Sequence, residues 1–128
     1  MSNCLKSREN HPSGAVYESV FGYSRAVRVG NRIHISGTCA PPNHAESRAD
    51  QQANAALDLI ESALIDAGAQ LQDVVRTVIY LRDIKDADAV ARVHFRWFGQ
   101  IRPATTVIEV LSLRRPWEKV AIEAYATT

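Results

Sequence analysis

Residues 50–81 read DQQANAALDLIESALIDAGAQLQDVVRTVIYL, and this run changes from a helical pattern to an extended one. Its first part repeats apolar residues at three- and four-residue spacing, which predicts one face of a helix that begins near Asp50: Ala53, Leu57, Ile60, Leu64 and Ala67. Gly68 follows where a left-handed C-terminal cap would stand. Residues 74–81 (VVRTVIYL) are rich in β-branched side chains and predict a strand.

More extended segments lie on both sides of this helix–strand unit. Residues 26–29 (AVRV) and 32–36 (RIHIS) are separated only by Gly30-Asn31, which is the signal of a two-residue hairpin turn. Residues 105–110 (TTVIEV) and 119–127 (KVAIEAYAT) predict two more strands. These strands add an antiparallel hairpin before the unit and a pair of strands after it.

A second helix is predicted over residues 86–98, between two of these strands. Val90, Val93 and Trp97 form its apolar stripe, and Gly99 is its stop.

Two segments show neither the three- and four-residue spacing of a helix nor the pattern of a strand. Residues 1–14 are predicted to be a loose leader, and residues 37–45 a loop. The element order is therefore β-β-(β)-α-β-α-β-β within a single domain of residues 1–128. This order predicts an α+β fold with one mixed β-sheet and two helices on one face.

The second face of the sheet also carries apolar side chains. Residues of the last strand point alternately to the two faces of the sheet. One face receives Val120, Ile122, Ala124 and Ala126, and the other receives Ala121, Glu123 and Tyr125. The preceding strand places Val107 on one side and Ile108 on the other. Because apolar surface of this kind is usually covered, we expect a homo-oligomer with cyclic symmetry.

The charge balance excludes several classes of protein. Fifteen Lys and Arg residues against fourteen Asp and Glu residues give a net charge of +1, unlike a dedicated nucleic-acid or membrane-surface binder. No apolar run approaches the roughly 20 residues that span a bilayer. Residues 1–14 also lack the apolar stretch of a signal peptide, so we expect a cytoplasmic protein with no membrane partner.

Cysteine and histidine usage predicts neither a disulfide framework nor a metal site. Cys4 and Cys39 form no Cys-x-x-Cys pair, and we expect both to be free thiols. The four histidines show no spacing typical of metal ligands: His11, His34, His44 and His94. We therefore expect no metal and no cofactor.

Short segments in a fixed order extend from residue 23 to residue 124: YSRAVRVGN (23–31), ISG (35–37), DAGA (66–69), DVVRT (73–77), FG (98–99), RPA (102–104), IEV (108–110) and IEA (122–124). In this order they resemble the YjgF/Rid family of reactive intermediate deaminases, also called endoribonuclease L-PSP-like. The resemblance implies a chorismate-mutase-like fold and a homotrimer with small-molecule pockets between subunits. It also implies hydrolysis of reactive enamines and imines, such as 2-aminoacrylate, to a ketone or keto acid plus ammonia.

The resemblance also implies site residues. Glu123 matches the glutamate of the family's last strand and is the expected general acid/base, since water that adds to an imine carbon needs a group to orient it and carry its proton. Tyr23 matches a pocket tyrosine and is the second expected catalytic residue. Ser36, Cys39 and Thr105 are the expected substrate-binding residues.

Each of these residues also has a structural interpretation that the sequence leaves open. Glu123 fits a solvated strand carboxylate or an inter-subunit salt bridge, and Tyr23 fits a packing role. Cys39 fits a small wall residue, because no base or helix N-terminus near it in sequence would lower its pKa.

The sequence departs from the family at the substrate-binding arginine. Active deaminases of the family carry that residue in a Pro-Ala-Arg-Ser pattern, whereas residues 103–106 read PATT and place Thr105 there. A neutral hydrogen bond from Thr105 would bind a carboxylate more weakly by about 1–3 kcal/mol. Strand alternation predicts that Arg102 points to the opposite face, and Arg25 is the alternative cation. We therefore expect an uncharged or differently placed substrate.

The second helix departs from the family too. Ala91 and His94 stand where the family often carries a tyrosine and an asparagine. This difference concerns the shape of the pocket and leaves the predicted fold unchanged.

The favoured function is a Rid-like hydrolase that acts on an enamine, an imine or a related C–N bond of a small metabolite. The alternative is a trimeric small-molecule-binding protein without turnover. Ribonuclease activity or translation inhibition, which parts of the family are also associated with, is disfavoured by the net charge of +1 and by the lack of an interleaved basic and aromatic patch.

Overall fold

The computed structural model describes residues 7–128. Within that range the strands are β1 (Arg8–His11), β2 (Ala26–Val29), β3 (Arg32–Thr38), β4 (Val74–Leu81), β5 (Ala104–Glu109) and β6 (Val120–Thr127). The α-helices are α1 (Val16–Phe21), α2 (Ala49–Asp66) and α3 (Ala87–Phe98). Short 3-10 turns lie at Pro42–His44, Leu71–Asp73 and Ile84–Asp86.

The strands form one six-stranded sheet in the order β1-β2-β3-β6-β4-β5. Strands β4 and β5 pair in parallel, whereas the other neighbouring strands pair antiparallel. Helices α2 and α3 pack against each other and on one face of the sheet, where the buried core lies. The structure confirms the predicted α+β class, with a mixed sheet and helices on one face.

Two glycines make the turns that the sequence predicts. Gly30 has a φ of 61° in the hairpin between β2 and β3, and Gly68 has a φ of 86° just after α2. A side chain at Gly68 would also be crowded, because a Cβ there would lie 3.0 Å from Nη1 of Arg28. Both positions therefore favour glycine through backbone conformation, and Gly68 does so through space as well.

Alternation along β6 follows the prediction. One set of residues is buried beneath the helices: Val120, Ile122, Ala124 and Ala126. Glu123 and Tyr125 lie on the other face, which no helix covers in the described part of the chain. Strand β5 is an edge strand, and Val107 and Ile108 on its two faces are 44% and 41% exposed.

The leader prediction is wrong for Arg8–His11, which forms β1 and pairs antiparallel with β2. Its sequence RENH has no apolar residue to set a period of two, so hydrophobic patterning could not detect it. Polar side chains suit an edge strand because its backbone supplies the pairing while both its faces meet water.

Helix α1 was also missed. It has six residues, and it ends at Gly22 in a left-handed conformation with a φ of 83°. Its buried Glu18 accepts hydrogen bonds from the backbone N–H of Ser13, at 3.1 and 3.2 Å, and from that residue's hydroxyl. A helix this short shows too little periodicity to be recognised from its apolar residues.

Gln52 is a fully buried polar residue of α2 that holds two loops in place. Its Nε2 donates to the carbonyls of His44, Ser47 and Trp117 at 3.1–3.3 Å, and its Oε1 accepts from the backbone N–H of Lys119 at 2.9 Å. These contacts fix the entry to β6 relative to α2. They matter because an unpaired buried backbone group costs more than a hydrogen bond contributes.

We predict that Gln52→Leu destabilises the fold by about 2–4 kcal/mol, because the leucine fills similar space and leaves the Lys119 N–H without its partner. Urea unfolding followed by circular dichroism, at equal protein concentrations, would measure this loss. Asp58→Ala, on the exposed side of the same helix, should leave the midpoint almost unchanged. Equal midpoints for Gln52→Leu and the parent would contradict the proposed role of Gln52.

Candidate functional site

A cavity of about 830 Å³ opens beside the end of β3. Its walls come from the segment before α1, from α2, from the residues that follow Gly37 and from the loop that precedes β6. Tyr23, Arg25 and Cys39 are among its lining residues. This larger cavity therefore holds two of the residues expected at the site, Tyr23 and Cys39.

Arg25 is fixed in the wall of the larger cavity. Its Nη1 contacts the Ser36 hydroxyl at 3.0 Å, the Gly37 carbonyl at 3.0 Å and the Thr38 hydroxyl at 2.9 Å. Its guanidinium carbon lies 5.9 Å from the centroid of the Tyr23 ring. The expected substrate-binding Ser36 is thus an acceptor for Arg25, and Arg25 does not reach the cavity that holds Thr105.

The Glu123 carboxylate is held by two tyrosines on the sheet face opposite the helices. The Tyr80 hydroxyl donates to Oε2 at 2.8 Å, and the Tyr125 hydroxyl donates to Oε1 at 2.7 Å. These hydrogen bonds are the main reason that the pKa of each tyrosine is raised, and burial raises both pKa values further. Each carboxylate oxygen keeps a lone pair that could accept a proton from water.

Sequence reasoning missed both tyrosines. The sequence could have indicated Tyr125, because it stands two residues after Glu123 and therefore on the same face of β6. It could not have indicated Tyr80, because the approach of that residue depends on the pairing of β4 with β6, in which Glu123 stands opposite Val78.

A smaller cavity of about 290 Å³ lies between α3 and β5. Its wall is largely apolar, with Ile79, Phe95, Phe98 and Val107 among the lining residues. Thr105 lines it as well, so the residue at the family's arginine position faces this cavity and not the larger one.

A chain of hydrogen bonds connects Thr105 to α3. The Thr105 and Thr77 hydroxyl oxygens are 2.8 Å apart, and the Thr77 oxygen is 2.9 Å from Nε2 of His94. Burial lowers the pKa of His94, which keeps its imidazole neutral at pH 7. The His94–Thr77–Thr105 chain thus supplies neutral hydrogen-bonding groups at the wall of the smaller cavity.

Arg102 lines the smaller cavity together with Thr105, and the prediction that it points to the opposite face is wrong. Strand alternation applies only within a strand, and β5 begins at Ala104. The backbone at Arg102 has a φ of 58°, which turns the chain before the strand starts. This conformation leaves no mark on the sequence, because left-handed turns usually carry glycine or asparagine.

The surroundings of Cys39 exclude it as a nucleophile at neutral pH. Burial, followed by the Glu118 carboxylate beside it, raises its pKa from 9.0 to about 12. Glu118 is itself buried and accepts a hydrogen bond from the Arg115 backbone N–H at 3.0 Å. Cys39 therefore stays protonated as a wall residue, and Cys4 lies outside the described residues.

The expected site residues thus fall into separate places on one chain. Tyr23 and Cys39 line the larger cavity, Ser36 is hydrogen-bonded to Arg25 in the wall of that cavity, and Thr105 lines the smaller cavity. Glu123 lies on the open sheet face. Ala121, which stands two residues earlier on the same face of β6, lines the larger cavity.

The sequence between residues 14 and 128 matches the family model described as Endoribonuclease L-PSP. The chain belongs to this family, which is also called YjgF/Rid. A crystal structure of a YjgF/YER057c/UK114 family member from Mycobacterium tuberculosis superposes with a TM-score of 0.90 at 44% identity, covering 95% of this chain and 100% of that one. The resemblance inferred from the short segments is therefore confirmed.

Curated relatives of this Rid-family chain include one that carries an activity in its name. The 2-iminobutanoate/2-iminopropanoate deaminase of Escherichia coli is 31% identical over 110 residues, 81% of this chain and 85% of the relative. An uncharacterized protein of Streptomyces coelicolor is 33% identical over 118 residues, 88% of each chain.

No helix within residues 7–128 is long and apolar enough to cross a membrane. No group of three or more His, Cys, Asp or Glu side chains in that range could hold a metal ion.

We predict that Cys39 in the folded protein reacts with iodoacetamide at pH 7.5 about a thousandfold more slowly than an ordinary thiol, because three pKa units each remove tenfold of the thiolate. Above pH 9 the alkylation rate of Cys39 in the folded protein should still rise tenfold per pH unit. The rate in the unfolded chain should level off there, because its thiol is then largely deprotonated. Mass spectrometry of the Cys39 peptide measures the rate, and the same labelling in urea is the control. Equal rates in both states would contradict the buried, protonated thiol.

Proposed function

We propose that this protein is a Rid-like hydrolase that cleaves the C=N bond of an imine, or of the imine tautomer of an enamine, in a small metabolite. The observation that carries the proposal is the Glu123 carboxylate, which two tyrosine hydroxyls hold at 2.7 and 2.8 Å on the open sheet face. The named activity of the Escherichia coli relative supports the same class of substrate.

In the proposed reaction, Glu123 orients a water molecule and accepts its proton as the water oxygen bonds to the imine carbon. The imine nitrogen takes up a proton, which gives a carbinolamine. The carbinolamine nitrogen then takes up a further proton and the C–N bond breaks as the carbinolamine hydroxyl loses its proton, so a ketone or keto acid and ammonia are the products. Water is the only co-reactant, and no electrons are exchanged.

The pocket of the proposed enzyme lies between copies of the chain. Support comes from the separation of the expected residues: Tyr23 and Arg25 line the larger cavity, whereas Thr105 lines the smaller one. A neighbouring copy would bring the smaller cavity against Glu123 and the larger cavity. Exposed Val107 and Ile108 on the edge strand suit burial in such a contact. We propose a homotrimer, and a cytoplasmic location remains a prediction from the sequence.

A binding protein without turnover is the second candidate. It is favoured by Thr105, which replaces a charged arginine with a neutral hydroxyl that already bonds to Thr77. In this case the same pocket would hold a metabolite and release it unchanged.

We predict that the protein speeds the loss of imines made from amino acids by an amino-acid oxidase, as reported by lower trapping with semicarbazide. Glu123→Gln should lower this activity at least a hundredfold, because it removes the proton acceptor and keeps the side-chain shape. Glu46→Gln makes the same chemical change at an exposed position and should have no effect.

Full activity of Glu123→Gln, in a sample with the parent's sedimentation behaviour, would contradict the role of Glu123. No acceleration by the folded parent protein with any imine, together with retention of a bound metabolite, would favour the binding protein.

We predict that two inactive variants restore activity when they are mixed during refolding. Ala91→Trp would plug the smaller cavity from an exposed position on α3, and Glu123→Gln would remove the base from the other half of the pocket. In an equal mixture that assembles at random, about a quarter of the sites should combine an intact Glu123 from one copy with an open smaller cavity from the other. Recovery of ammonia release to that level is the expected result, and no recovery would place the pocket within one chain.

A further inference from the structure

The turn between α3 and β5 holds Arg102 in an uncommon conformation. Its φ of 58° lies in the left-handed region, which residues with a side chain adopt rarely. Its backbone N–H donates to the Phe98 carbonyl at 2.8 Å, and its Nε donates to the Gly99 carbonyl at 3.1 Å. Together these features bring the side chain to the wall of the smaller cavity.

The outer nitrogens of this guanidinium are available to a ligand. Among residues 7–128, no carboxylate forms an ion pair with Arg102, and its Nη1 and Nη2 donate no hydrogen bond. The other residues that line the smaller cavity are apolar or neutral, since burial lowers the pKa of His94. An anion in this cavity would meet one full positive charge and no negative charge.

We propose that Arg102 binds the carboxylate of the substrate and so replaces the arginine that is absent at position 105. The inference rests on the proposed function and specifies its substrate class as imino acids. A guanidinium matches a carboxylate with two parallel hydrogen bonds, which the Thr105 hydroxyl alone cannot provide. The left-handed turn places the Arg102 guanidinium in the cavity from a position that precedes β5. The Thr105 hydroxyl lines the same cavity as a neutral hydrogen-bonding group.

A purely structural role for Arg102 makes different predictions. An arginine near the end of α3 can stabilise the helix by donating to its last carbonyls and by opposing the helix dipole. In that role its replacement would change the stability of the protein and leave the choice of substrate unchanged.

Arg102→Gly separates these roles because glycine adopts a positive φ without strain. The variant should melt at or above the temperature of the parent. Its kcat/KM for imino acids from an amino-acid oxidase should fall tenfold to a hundredfold, mainly through KM. Its kcat/KM for a simple imine without a carboxylate, made by an amine oxidase, should not change.

Two further variants sharpen the test. Arg92→Ala removes an exposed arginine of α3 that lies outside the smaller cavity, and its kinetics should match the parent's. Thr105→Arg in the Arg102→Gly background restores a guanidinium from the family's own position, and it should recover imino-acid turnover.

Binding of pyruvate, the keto acid that hydrolysis of 2-iminopropanoate gives, tests Arg102 without turnover. Titration calorimetry should show binding by the parent protein and at least tenfold weaker binding by Arg102→Gly. If the protein has no turnover, weaker pyruvate binding by Arg102→Gly would still support Arg102 as the carboxylate-binding residue, and only the hydrolase proposal would fail. Unchanged imino-acid kinetics in Arg102→Gly, or a parent that binds no pyruvate, would overturn the assignment of Arg102 even where the hydrolase proposal holds.

Discussion

The position of β6 between β3 and β4 is the constraint on which the rest of the molecule depends. The strand pairs along its length on both sides, so its alternation is fixed from two directions. Ile122 and Ala124 lie beneath the helices as a result, and Glu123 is left on the open face between Tyr80 and Tyr125. A register shift of one residue would bury the carboxylate and expose the core, so the same pairing that stabilises the fold also orients the proposed base.

The sequence predicts those elements whose burial follows a regular period. Helix α2 and strand β4 carry enough apolar residues on one face to fix both their type and their orientation. Strand β1 and helix α1 escape prediction because the first is polar throughout and the second is too short to show a period. Gln52 escapes it too, since its hydrogen-bond partners come from two loops that are distant in sequence.

The candidate site divides along the same line. The prediction of Tyr23, Ser36 and Glu123 as site residues rests on position alone, because each stands in a segment that resembles the family in order. The groups around them could not be predicted in this way, since cross-strand pairing brings Tyr80 to Glu123 and a left-handed backbone angle brings Arg102 to the cavity that Thr105 lines. Sequence patterns indicate which face a regular element presents, whereas the positions of Tyr80 and Arg102 depend on geometry outside a single element.

The His94–Thr77–Thr105 chain can be satisfied in two directions. With Nε2 of His94 unprotonated, Thr77 donates to it and accepts from Thr105, whose oxygen keeps its lone pairs for another donor. With Nε2 protonated, Thr77 accepts from His94 and donates to Thr105, and the Thr105 proton turns to the Pro103 carbonyl at 3.1 Å. The tautomer of His94 therefore decides whether the Thr105 oxygen keeps two free lone pairs or one. The Thr105 hydroxyl can donate or accept, whereas an arginine at this position could only donate. This suits a pocket in which the proposed positive charge comes from Arg102 in the preceding turn.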